Sequence, residues 1–136
     1  MKKSISKLKK ELDKIFSLFI RLREADNLGN VICCTCGVKK HYKNGMHNGH
    51  FQSRSWLATR FDEENCQVQC AACNISRQGE QYKFAKYLDK KYGEGTAEEL
   101  HVLSKRHIKL TRIDYEEKIS YYKEIVKNLK KEKGIE

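Results

Sequence analysis

Residues 33–74 read CCTCGVKKHYKNGMHNGHFQSRSWLATRFDEENCQVQCAACN. The stretch opens on Cys33-x-x-Cys36 and closes on Cys70-x-x-Cys73. Gly49-His50-Phe51 and Asn65 lie between the pairs, and Asn74 directly follows the last cysteine. Two Cys-x-x-Cys pairs suit one tetrahedral ion, because each pair forms a tight knuckle that offers two thiolates to the same metal. Residues 37–69 separate the pairs, a longer gap than a simple zinc ribbon has, so the ion would close a substantial loop. A structural Zn2+ on Cys33, Cys36, Cys70 and Cys73 is the expectation. The competing reading is four buried or redox-active thiols. A closed four-sulfur site has no open position and would not itself be catalytic. Cys34 and Cys66 are left over and read as small apolar core residues.

The 136-residue chain is of single-domain length. Its residues are 39% hydrophobic and 34% charged, so the core must be small and a structural metal would help hold it. The formal net charge of +10 favours a polyanionic partner, since each Lys or Arg on a phosphate releases condensed counterions. Six cysteines without a signal peptide point to metal rather than disulfides. No apolar run approaches the ~20 residues needed to span a bilayer. A cytoplasmic protein of a prokaryote or its virus is expected.

Helices are expected on both sides of the cysteine-rich stretch. Ile5, Leu8, Leu12, Ile15, Phe19 and Leu22 recur at spacings of three and four, which predicts a helix over 3–25. Val38–Tyr42 and Met46–Phe51 read as two strands of a hairpin turning at Lys43-Asn44-Gly45. A short helix within 53–60 is anchored by Trp56 and Leu57. Another begins near Cys70, and 81–92 continues helical until Gly93 and Gly95. Thr96 with Glu99 predicts a capping box, and Thr111 a further cap. Tyr115, Ile119, Tyr122, Val126 and Leu129 form a last apolar stripe. The fold class expected is α+β. A small ββα-metal core (31–77) would carry the four-cysteine site, with an N-terminal helical arm (1–30) and C-terminal helices (78–136).

A histidine at the end of a hairpin, an asparagine about fifteen residues on, and an asparagine just inside a following helix match the ββα-metal (HNH-like) nuclease arrangement. His50, Asn65 and Asn74 fill those places. Phosphodiester hydrolysis needs a base near neutral pH, a cation on the phosphate and leaving oxygen, and a group that orients the imidazole. His50 is assigned to the first role, Asn74 to binding Mg2+ or Mn2+, and Asn65 to the third. Arg54, Arg60 and Arg77 are candidates for DNA phosphates. His41 and His47 read as bystanders, with either able to replace a cysteine should the knuckle assignment be wrong. Tyr82, Tyr87, Tyr92, Tyr115, Tyr121 and Tyr122 are better explained by helix packing than by base stacking.

More specific runs surround these residues. They are Leu12-Asp13-Lys14-Ile15-Phe16-Ser17, Phe19-Ile20-Arg21-Leu22-Arg23, Gly49-His50-Phe51, Ser53-Arg54 and Thr59-Arg60-Phe61-Asp62-Glu63. Asn65, Gln69-Cys70, Cys73-Asn74, Gln81-Tyr82 and Tyr87 to Thr96 continue the pattern. Over about residues 11–129 the chain resembles the phage lambda NinG family, also called Rap. The resemblance implies a phage recombination endonuclease that nicks branched DNA such as D-loops and Holliday junctions, alongside a phage strand-annealing protein. A homodimer is attractive, since a symmetrical junction needs two nicks. One departure stands out. Many HNH nucleases carry Asp or His directly before the base histidine as a second metal ligand, and here that residue is Gly49. Gln78 and Asp62 are weak candidates to fill the shell, with water and substrate oxygens completing it. Two other readings compete. One is a non-catalytic, zinc-dependent DNA-binding accessory module, and the other a zinc-stabilised protein-interaction domain.

Overall fold

Ser4 opens the first helix, and its hydroxyl accepts the Lys7 amide at 3.1 Å, satisfying one of the orphan donors of the first turn. In the computed structural model, which describes residues 2–136, α1 runs Ile5–Glu24. Leu8, Leu12, Phe19 and Leu22 of the predicted stripe are buried. Phe16 and Ile20 join them fully buried, while Ile5 stays 42% exposed. The apolar face is wider than one stripe because α1 packs against the strands as well as the last helix.

That last helix, α5 (Arg112–Lys133), starts at a capping box between Thr111 and Asp114. It runs parallel to α1. Lys123 meets Glu11 at 3.1 Å, and further along Lys133 donates to the Arg23 and Ala25 carbonyls at 3.1 and 2.6 Å. Tyr115, Ile119, Tyr122 and Val126 are buried between them. Tyr122 packs edge-on to Phe16 with centroids 5.0 Å apart, an arrangement that suits the ring quadrupoles.

Two antiparallel ribbons lie beside α1. Strands β1 (Asn30–Ile32) and β2 (Lys39–His41) pair with Val31 opposite Lys40. Strands β3 (Met46–His50) and β4 (Cys66–Cys70) pair with Met46 opposite Cys70 and His50 opposite Cys66. The expected hairpin at Lys43-Asn44-Gly45 is therefore corrected. Its flanking segments do not pair with each other. The first cysteine knuckle already gives β2 a partner in β1, and β4 supplies the partner of β3. Gly45, at φ +66°, passes the chain from one ribbon to the other, and its carbonyl accepts the Ala71 amide at 2.9 Å.

The connection from β3 to β4 holds the one-turn helix α2 (Leu57–Arg60). After β4 the chain makes a π-helical turn over Ala72–Ser76, then left-handed backbone at Gln78, Gly79 and Glu80. Helices α3 (Gln81–Tyr92) and α4 (Thr96–Ser104) follow. Phe84, Leu88, Ala97 and Leu100 close over Phe51 as a second small core. Thr96 is the first residue of α4 rather than its cap, a correction to the expected capping box. Its hydroxyl donates to the Gly93 carbonyl at 2.7 Å, and Asp89 reaches from α3 to accept the Ala97 amide at 2.9 Å. The class is α+β.

Candidate active site and metal centre

Cys33 and Cys36 sit in the knuckle between β1 and β2, Cys70 ends β4, and Cys73 lies in the π-helical turn. Their four sulfurs all lie within 4.8 Å of one another, and Cys36 and Cys70 are 3.7 Å apart. Ligands about 2.3 Å from a tetrahedral ion are about 3.8 Å from each other, so the spacing fits a bound metal such as zinc. The protonation chemistry agrees. Burial pushes the Cys33 thiol up, but the Thr35 hydroxyl and nearby backbone amides outweigh it and hold Cys33 at about 6. The Val38 amide favours the Cys36 thiolate, yet burial and the three neighbouring sulfurs push it up to about 12. Four thiolates this close can ionise together only around a cation. Arg77, exposed and expected on a phosphate, donates one terminal nitrogen to the Cys73 sulfur at 3.5 Å, where it complements the negative charge of the thiolates. Cys34 and Cys66 lie outside this cluster, and burial raises both thiols.

Beside the metal centre lies a cleft of about 530 Å3. Helix α1 lines one wall with Asp13, Ser17 and Arg21, and β3 lines another with His47, Asn48 and His50; Arg54 and Asn74 complete it. His50 Nε2 lies 2.9 Å from the Arg60 carbonyl oxygen. A carbonyl can only accept, so Nε2 carries the proton and Nδ1 keeps its lone pair. Burial lowers the pKa of His50, against the opposing pull of the Arg60 carbonyl and Asp13, so the ring is neutral at pH 7.

Asn65 is fully buried, and its side chain makes no hydrogen bond to the imidazole. Its amide donates to the carbonyls of Gln52 and Thr59 at 3.1 and 3.0 Å and accepts the Gln52 amide at 2.8 Å. It ties the strand exit to α2, one residue before the carbonyl that holds His50. The orienting contact expected of Asn65 thus belongs to Arg60 backbone, with Asn65 acting one step away.

The Arg60 side chain is also engaged. Its Nε donates to Asp13 Oδ1 at 3.0 Å, and its terminal nitrogens reach Asp13 Oδ2 and the Arg54 carbonyl. That bidentate pair crosses from α2 to α1 and is not free for phosphate. Arg54 differs. No carboxylate pairs with it among the described residues, and it lines both the cleft and an adjoining groove bordered by Lys9, Lys10 and Lys14. Asp62 caps its own turn, accepting the amides of Glu64 and Asn65 at 2.9 and 3.1 Å.

Asn74 reaches the cleft from the π-helical turn, where its amide nitrogen lies 3.1 Å from His47 Nδ1. The sequence assigned no site role to Asp13 or Arg21, and His47 read there as a bystander. The signal for Asp13, Ser17 and Arg21 was their i, i+4, i+8 spacing, a polar row beside the apolar stripe of α1. His47 shares a strand face with Gly49, two residues away.

The family model described as Bacteriophage Lambda NinG protein matches residues 1–132. Neither curated proteins nor solved structures gave a match. No helix among the described residues is long and apolar enough to cross a membrane.

Proposed function

The chain belongs to the bacteriophage lambda NinG family, which points to a role connected with phage recombination, and on that premise we propose that it is a metal-dependent endonuclease that nicks branched DNA. The observation that carries the reading is the state of His50. It is a neutral imidazole in an open cleft, with Nε2–H held by the Arg60 carbonyl and Nδ1 left as a base. In this reading Nδ1 takes a proton from a water, which attacks the phosphodiester in line. Asp13 and Arg60, locked together, hold the carbonyl that orients the ring. Asn65 fixes the same segment from the other side. Arg54 at the mouth of the cleft positions a phosphate, and the lysines of α1 extend that positive track. Asn74 would hold Mg2+ or Mn2+, which supplies charge neutralisation at the phosphate and the departing 3′ oxygen. The products would carry 5′-phosphate and 3′-hydroxyl ends.

The four cysteines would hold zinc as a structural ion. They connect the β1–β2 knuckle to the end of β4 and the turn that carries Asn74, so the staple positions one side of the cleft. Branched DNA is the proposed substrate, with action as a homodimer or beside a phage recombination protein as further parts of the same reading.

The test is a paired assay of wild type and His50→Ala on labelled branched and linear duplex DNA, with Mg2+, with Mn2+ and with chelator. Wild type should nick branched DNA only with metal, and the variant should bind without cutting. Tight binding by both proteins with no cleavage under any metal would replace this reading with a non-catalytic DNA-binding module.

A further inference from the structure

We propose that His47 is the second protein ligand of the divalent cation in the cleft, paired with Asn74; this rests on the nuclease reading above. Gly49 occupies the position directly before the base. A Cβ placed there would lie 2.2 Å from Gln69 Oε1 and 2.7 Å from its Cδ. Gln69 is fully buried and cannot swing aside freely, because its amide donates to the Gly79 carbonyl at 2.8 Å and to the Thr35 hydroxyl at 3.2 Å. Position 49 is therefore closed to any side chain. Residues two apart on a strand point to the same face, so the next position able to serve that face is His47.

His47 is half-buried, lines the cleft, and places Nδ1 3.1 Å from the Asn74 amide nitrogen. A half-turn of that amide exchanges its nitrogen for Oδ1, and the two orientations are nearly identical in shape. An imidazole nitrogen and an amide oxygen at that separation match two neighbouring corners of an octahedral ion. Ligands about 2.1 Å from such an ion sit about 3.0 Å apart. Asp13, the carboxylate that lines the cleft, has both oxygens on Arg60. The pair is thus two neutral ligands that leave the full charge of the cation for the phosphate. Imidazole binds first-row transition ions more readily than it binds Mg2+, which prefers oxygen, so the site should take Mn2+ in preference to Mg2+.

The first experiment uses the zinc-loaded full chain without DNA and follows histidine side-chain resonances as Mn2+ is added. The His47 ring should broaden at the lowest Mn2+, well before His41, which lies outside the cleft. The second compares Mn2+ affinity by electron paramagnetic resonance. His47→Ala should bind at least tenfold more weakly with an unchanged melting temperature, and His47→Asp should regain binding and shift the preference towards Mg2+. If His47 does not broaden selectively while wild type still nicks DNA with Mn2+, the ligand assignment fails and the nuclease reading stands. If wild type neither binds Mn2+ nor nicks, both fall.

Discussion

Replacing Asn65 by Ala removes one side chain and three hydrogen bonds at once, one of them buried and two part-buried. The Gln52 amide, the Gln52 carbonyl and the Thr59 carbonyl each lose a partner at 2.8–3.1 Å. A net bond is worth about 1 kcal/mol, and leaving buried backbone groups unpaired moves the cost towards the upper end. The expected loss is about 3 kcal/mol, roughly a hundredfold in the folded-to-unfolded ratio, or about 10 °C in melting temperature. Asn65→Asp keeps the acceptor for the Gln52 amide but sets a carboxylate against two carbonyls, so it should be no better than Ala. Urea denaturation at fixed zinc measures this directly, since bound metal otherwise shifts the midpoint by mass action. Activity should fall beyond the loss of folded protein, because the α2 carbonyl that holds His50 is released. A stability loss below about 1 kcal/mol, with unchanged cleavage, would refute the idea that Asn65 ties the strand exit to α2.

Cys70→Ser should lose the structural ion and destabilise β4 together with the turn carrying Asn74; a variant that melts like wild type with no metal by atomic absorption would remove the staple. Cleavage should rise as pH rises through the depressed pKa of His50 and be level by neutrality. The stability contribution of His50 has the same sign. Its folded pKa lies below the ordinary 6.5, so the contribution is complete above 6.5 and lost as pH falls through the folded value; a variant lacking His50 with the same acid midpoint would contradict this. Arg54→Ala should weaken DNA binding and reduce the salt dependence by about one phosphate contact, whereas an unchanged slope in a salt titration would remove Arg54 from the interface.

The features most legible in the sequence were those encoded by short spacings. Each cysteine pair makes its knuckle within four residues, and the apolar periods of α1 and α5 announce buried faces. Thr111 announces a helix start, although its box partner Asp114 is visible only once the helix is placed. Strand pairing was not legible. Asn44-Gly45 is good hairpin chemistry, but β3 finds its partner fifteen residues beyond its own end, where β4 carries the second cysteine pair. The site residues divide the same way. His50 stands out in its local run, while the engagement of Arg60 depends on Asp13 from another helix. The contact between Arg77 and the Cys73 sulfur was likewise invisible, because proximity to Asn74 in sequence says nothing about what lies beside Arg77 in space. His47 meets Asn74 only because the π-helical turn swings back across the strand.

The parallel packing of α1 and α5 has a consequence for how the chain is made. Phe16 and Phe19, early in the sequence, find Tyr122 only after more than a hundred further residues have left the ribosome. The cysteine cluster needs nothing beyond Cys73, so it can assemble around its ion while α1 still shows its apolar face to the cell. Closure is then the last event of synthesis, and loop-closure entropy makes such a distant contact slow to form. A nascent chain halted before Ile119 would hold its metal and yet present Phe16 and Phe19, which Tyr122 covers in the finished fold, to any chaperone or protease that patrols unfinished proteins.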